Sequence, residues 1–290
     1  MNDVCELVIK SANDLAKKID AEHIFLISDK VFEQATFEVP VTFVQTSAIA
    51  REMNEELKEI FSNDVIQSLK NNVATPAFKN VKIIQDMATL AYIKDIVKKG
   101  YIIGVLCLQN LSSIIISDLK QFTPVRTIDE SSERVSAVTL KAILNLALEI
   151  GREGREGKKV GTAFIVGDTK EVLKRSHQLI LNPFEGYPED VRDIKNNAHW
   201  ETIKEFAQID GVFIVDEKGV MISAGRYLDV DTKSVELEGL GGRHISASAI
   251  TRDTQAIAIT VSESGGTVRI FKDGIETKIE PIAYLLYLLP

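Results

Sequence analysis

Asp210-Gly211-Val212-Phe213-Ile214-Val215 opens with an acid and a glycine and continues as a short apolar run. Four consecutive β-branched or aromatic residues bounded by turn formers read as a buried β-strand. The turn after it, Asp216-Glu217-Lys218-Gly219, leads into a second apolar run over 220–223, and the pair predicts a hairpin. Glu263-Ser264-Gly265-Gly266 sits in the same way between apolar runs over 256–262 and 267–271 and predicts another. Lys272-Asp273-Gly274-Ile275 adds a third turn, and residues 162–166 a further strand ending at Gly167-Asp168. Helical spacing over 135–150, 171–181 and 199–208 places helices around these strands. The second half therefore predicts a mixed β-sheet flanked by helices.

Strands and helices alternate in the first half. Residues 4–19 carry Val4, Leu7, Val8, Leu15 and Ile19 mostly at helical spacing. Strands are expected over 23–27, 39–44, 81–84, 101–108 and 113–116. Helices are expected over 48–61 behind a Ser47 cap, continuing over 65–69, and over 89–98 up to Gly100. Strands separated by helices imply a mostly parallel α/β sheet. The fold class is thus α/β. Two domains are expected at 1–120 and 135–290, joined by a polar linker at 121–134 that contains Pro124 and an acidic cluster. The glycines and charges of 151–159 read as a solvated helix end.

The chain has 290 residues, 45% apolar and 26% charged, with a net charge of −8. That charge argues against nucleic-acid and anionic-membrane partners. Only Cys5 and Cys107 occur, both in apolar contexts, so they are expected as small core residues in a reducing, cytoplasmic setting. No signal-peptide pattern is visible, and no apolar run approaches the roughly 20 residues that span a bilayer. The apolar stretch 282–289 is expected to dock on its own domain or on a neighbouring subunit.

Asp210 at the mouth of a strand is a candidate metal ligand or proton acceptor, and equally an ordinary Asp-Gly turn. The stretch Gly239-Leu240-Gly241-Gly242-Arg243-His244 is more telling. Its glycines let backbone approach a ligand, Arg243 can fork onto phosphate oxygens, and His244 adds a donor. The small residues from Ser246 onward begin a helix, whose N-terminus favours anions. A surface turn carrying Arg-His by chance is the alternative. Glu263 beside a glycine turn is a candidate metal ligand or a hairpin acid. His23, His177 and His199 have no partner at metal-ligand spacing.

Taken in order, the glycine–arginine helix end, Gly161–Gly167, Asp210-Gly211, Gly242-Arg243-His244 and Val261-Ser262-Glu263 resemble the nucleotide-cyclase domain of the diadenylate cyclases, over about residues 135–279. The family signatures Asp-Gly-Ala and Arg-His-Arg read here Asp210-Gly211-Val212 and Arg243-His244-Ile245, so Ile245 brings no third cation. The shorter Arg-His resembles the archaeal branch. The resemblance implies condensation of two ATP into cyclic di-AMP with release of two pyrophosphates. It implies Asp210, Arg243 and His244 as catalytic residues. ATP would be held by Gly211, Leu228, Gly242, Arg243, His244, Ser246 and Ser262, and Mn2+ or Mg2+ by Asp210 and Glu263. It further implies a homo-oligomer, at least a dimer when active, because two ATP molecules must meet face to face. The alternative is a non-catalytic nucleotide-binding sensor with a degenerate site. Residues 1–120 more distantly resemble the C-terminal α/β domain of pyruvate kinase, which implies an assembly or regulatory role.

Overall fold

The structure, a computed structural model, describes residues 4–28, 37–45, 76–108, 111–232 and 241–279. The expected helices over 48–61 and 65–69, Gly239, Leu240 and the apolar stretch 282–289 lie outside them. Two compact units meet in sequence between Val125 and Arg126.

The first unit is a four-stranded sheet ordered β2-β1-β3-β4, from β1 (His23–Ser28), β2 (Val41–Gln45), β3 (Tyr101–Leu108) and β4 (Leu111–Asp118). β1 pairs in parallel with β2 and β3, and β4 returns antiparallel. Helix α1 (Val4–Ile19) buries Cys5, Ile9, Ala12 and Ala16, a helical stripe, in one cluster with Ile24, Leu26, Ile103, Val105 and Cys107. Both cysteines are core residues. His23 is buried, with Nε2 2.8 Å from the Thr42 hydroxyl.

Between residues 76 and 134 three sequence expectations fail. Residues 81–84 are not a strand but part of α2 (Pro76–Ile93). Ile83, Ile84, Met87, Leu90 and Ala91 are all buried, a helical stripe that a four-residue window cannot reveal. That helix stops at Ile93, short of the expected 98. The linker expected at 121–134 is largely helical: α3 (Thr123–Ser131) buries Val125, Ile128 and Ser131 at i, i+3, i+6. Its Pro124 lies in the first turn, where a missing N–H costs nothing.

The second unit is a seven-stranded sheet ordered β11-β10-β9-β5-β7-β8-β6. Its strands are β5 (Thr162–Val166), β6 (Ser176–Gln178), β7 (Val212–Val215), β8 (Met221–Leu228), β9 (Ile257–Val261), β10 (Val268–Lys272) and β11 (Ile275–Ile279). Only β5 and β7 pair in parallel; the other pairings are antiparallel. The central strands β5, β7 and β9 are buried at every position, as strands covered on both faces must be. Helix α4 (Ala137–Glu153) is capped by the Ser136 hydroxyl, which accepts from the Thr139 amide at 3.1 Å. The helix expected over 171–181 ends early. α5 (Thr169–Lys174) gives way to edge strand β6, because Ser176–Gln178 pair with Arg226–Leu228 of β8. A four-residue helix α6 (Glu189–Arg192) and then α7 (Trp200–Phe206) lead to Asp210.

Candidate active site

Sheet topology gathers the candidate residues at one end of the second unit. β5 and β7 run parallel, so Gly161 and Gly211 precede them at the same edge. β9 runs opposite to β5, with Val261 facing Thr162, so Ser262 and Glu263 leave the sheet there. β8 runs opposite to β7 and brings Arg226–Leu228 alongside Val212. Helix α8 (Gly242–Asp253) starts over this edge and packs on β9 and β10. It begins four residues before the expected Ser246, so Arg243 and His244 occupy its first turn. Its cap, Gly241, offers no side chain, and the His244 and Ile245 amides both bond the Gly241 carbonyl. That leaves the Gly242 and Arg243 amides, at residues that line the cleft, with the positive end of the helix dipole.

A cleft of about 680 Å³ lies at this edge, within the range of about 300–1000 Å³ typical for small-ligand sites. Asp210, Gly211, Leu228, Gly242, Arg243 and His244 line it, as do Ser246, Ser262 and Glu263. These nine candidate residues therefore lie at one place, whereas Gly239 and Leu240 fall outside the described residues. Gly161, the start of a sequence landmark, lines it too, as do Leu179, Arg226, Tyr227 and Ser264, which have no local sequence signature. Gly161 immediately precedes β5. Its own missing side chain makes room for Glu263, whose Cβ would lie 3.0 Å from a Cβ built at position 161.

Gly211 is required twice over. Its φ is +102°, and a Cβ there would lie 2.7 Å from the Arg226 carbonyl oxygen and 2.8 Å from the Arg226 nitrogen. Gly211→Ala is accordingly expected to destabilise the second unit by about 1–3 kcal/mol, and to displace Asp210. Urea denaturation checks this, and a loss below about 0.5 kcal/mol, the level of a neutral surface change, would contradict it.

Electrostatics divide the cleft. The Asp210 side chain is 96% exposed, and its Oδ1 lies 3.2 Å from Arg243 Nη2. Arg226 spends its donors on uncharged groups: Ser176 Oγ at 2.9 Å, the Ser176 carbonyl at 2.6 Å and Gln178 Oε1 at 3.3 Å. His244 is buried, and burial, then the Arg269 and Arg243 charges, push its pKa down from 6.5 to about 4. Near neutrality it is a polar imidazole rather than a second cation. Ser262 and Ser264 hydroxyls lie 3.1 Å apart.

The depressed histidine also sets an acid limit. An unfolded histidine binds its proton near the ordinary value, whereas folded His244 resists it. The stabilisation is thus complete above about pH 6.5 and is lost as pH falls toward 4. Burial does the same to His23 in the first unit. Calorimetry from pH 7 down to 4.5 is expected to show falling stability, with a shallower slope in His244→Gln. An unchanged slope would refute the assignment.

Among the described residues, no three His, Cys, Asp or Glu side chains gather as a metal cage. The cleft does offer the hard oxygens of Asp210, Glu263 and Ser262. Mg2+-like ions are commonly held by one or two carboxylates plus waters and substrate phosphates. The donor set fits a divalent cation that arrives with a polyphosphate.

Two family models match the chain, one in each half. Residues 149–275 match the family model described as DisA bacterial checkpoint controller nucleotide-binding, and residues 7–120 the one described as probable sensor domain DacZ_A. Among solved structures, a hypothetical membrane spanning protein from Bacillus cereus aligns with TM-score 0.40 and 18% identity over 56% of this chain and 72% of that one. A double mutant of DacA from Staphylococcus aureus aligns with TM-score 0.35 and 15% identity over 52% of this chain and 91% of that one. A diadenylate cyclase from Haloferax volcanii is 40% identical over 156 residues, 53% of this chain and 57% of that protein. One from Methanocaldococcus jannaschii is 39% identical over 229 residues, 79% of this chain and 68% of that protein. With identity at that level running through more than two thirds of such a relative, the chain belongs to the diadenylate cyclase family.

Proposed function

We propose that this protein condenses two ATP molecules into cyclic 3′,5′-di-AMP, releasing two pyrophosphates. The observation that carries this reading is the meeting of Asp210, Arg243-His244 and Ser262-Glu263, from three separate stretches, in one cleft. The chemistry is attack of a ribose 3′-hydroxyl on an α-phosphate. It requires in-line placement and neutralised charge more than covalent participation.

Position in the cleft supports the following roles. Arg243 pairs with Asp210 at 3.2 Å. In our reading, phosphate oxygens draw the guanidinium away and free the carboxylate to accept the hydroxyl proton. The α8 amides, His244, Ser246 and Ser262 bind the triphosphate, and buried Leu228 lines the adenine end. Asp210 and Glu263 would hold a divalent cation, Mn2+ or Mg2+, which when bound supplies further charge neutralisation. Each subunit presents one such site, and two must face each other across a two-fold axis for both bonds to form, so the active species is at least a dimer. The first unit serves assembly or regulation. Among the described residues no helix is long and apolar enough to cross a membrane, and we place the reaction in the cytoplasm.

Incubation of the full chain with ATP and Mn2+, followed by chromatography, tests the reading. Cyclic di-AMP and pyrophosphate in a 1:2 ratio are expected. ATP binding with no product would instead favour a nucleotide sensor, and neither would refute both readings.

A further inference from the structure

The cleft has a support outside its lining. Arg269 on β10 is 11% exposed and does not line the cleft. Its Nη1 lies 3.4 Å from His244 Nε2. Arg269 and Phe271 share the face of β10 under α8, and the His244 and Phe271 rings are 6.4 Å apart. The next strand holds Arg269 from the other side. Phe271 faces Glu276 in the β10–β11 register, so Glu276 is the diagonal neighbour of Arg269. Glu276 Oε2 lies 3.3 Å from Arg269 Nε, an ionic contact rather than an aligned hydrogen bond, since Nε has no hydrogen-bond partner among the described residues.

Chemistry then decides the histidine's state. A guanidinium can only donate, so Nε2 must present its lone pair. In a neutral imidazole the proton must then sit on Nδ1. We propose that Arg269, held by Glu276, is a positioning residue that fixes His244 as the Nδ1–H tautomer, which donates from Nδ1 to a phosphate oxygen of the bound nucleotide. The assignment of the acceptor rests on the proposed cyclase function; the tautomer does not. With Ile245 supplying no charge, the cation on this side of α8 acts from beneath, through the imidazole.

The test uses full-length protein labelled with 15N-histidine, with the His244 signal identified by its loss in His244→Gln. Imidazole NMR of the wild type is expected to show Nδ1 protonated and Nε2 bare. Arg269→Met is expected to release this preference. It should also raise KM for ATP about tenfold, the equivalent of one lost hydrogen bond, with a smaller change in kcat. Arg269→Lys keeps a donor and is expected to keep the tautomer and to stay within about threefold of wild-type KM. Glu276→Gln should fall between. Should Arg269→Met fail to fold, the lysine and Glu276→Gln variants carry the comparison. Nε2 protonated in the wild type, or a tautomer indifferent to residue 269, overturns the proposal. A tautomer that follows residue 269 while KM and ATP affinity stay constant overturns the phosphate contact. If the wild type makes no cyclic dinucleotide yet tautomer and ATP affinity both follow residue 269, the cyclase reading falls and the positioning role stands.

Discussion

Asp210→Asn is expected to lower kcat for cyclic di-AMP formation by about 100- to 10 000-fold, the span associated with a positioned general base. ATP affinity should change by less than about tenfold. The two effects separate because of where Asp210 sits. Its side chain is almost fully exposed and, among the described residues, makes one ion pair, to Arg243. Exposed ion pairs contribute about 0–1 kcal/mol, so fold stability should hardly move. Asparagine keeps the shape and removes the charge that must take a proton and face a cation. It also leaves Arg243 without a carboxylate competitor for phosphate, which offsets part of any lost metal-mediated binding. Arg243→Ala should show the opposite pattern, a raised KM with a smaller loss in kcat. Product chromatography and calorimetric ATP titration measure the two quantities independently. An Asp210→Asn protein that turns over normally would remove the carboxylate from the mechanism. One that loses ATP binding entirely would reassign it to substrate holding.

The parts of the candidate site legible in the sequence are those with a local signature. Asp210-Gly211 stands out because a turn abuts a buried run, and Gly241-Gly242-Arg243-His244 because glycines cluster with an arginine and a histidine. What joins them is topology: a parallel β5–β7 pair with antiparallel β9 beside it brings positions about fifty and a hundred residues past Gly161 to the same edge. Arg269 shows the limit. Its relation to His244 comes from α8 lying across β10, and to Glu276 from a diagonal cross-strand step, neither of which has a sequence spacing. The strand misassigned at 81–84 and the helix overextended past Lys174 share another cause. A short window of Val81, Ile83 and Ile84 fits either period. Ser176-His177-Gln178 has no apolar alternation, and its strand character comes from pairing with β8.

Lys204→Met is expected to destabilise the second unit by about 2–3 kcal/mol and to reduce turnover in the folded fraction. Lys204 on α7 is 5% exposed, and its Nζ lies 2.9 Å from each of Glu149, Glu153 and Glu201. Burial works against its charge, but hydrogen bonds to the three carboxylates outweigh burial and push its pKa up. Arg155 extends the network to Glu201 and Glu205, tying the turn after α4 to α7. Removing the cation leaves three acids crowded together. Breaking a fully buried ion pair costs about 3–5 kcal/mol. Here Glu149, Glu153 and Glu201 are 34%, 40% and 67% exposed, so water recovers part of that cost. The functional consequence follows from the chain path: α7 ends at Phe206, four residues before Asp210, so loosening α7 from α4 loosens the carboxylate. Urea denaturation gives the stability term, and kcat measured well below the unfolding transition gives the second. Adding Glu149→Gln and Glu153→Gln to the methionine variant should recover about half the lost stability if charge repulsion is the cause. No recovery would mean that Lys204 acts through packing of its aliphatic stem instead.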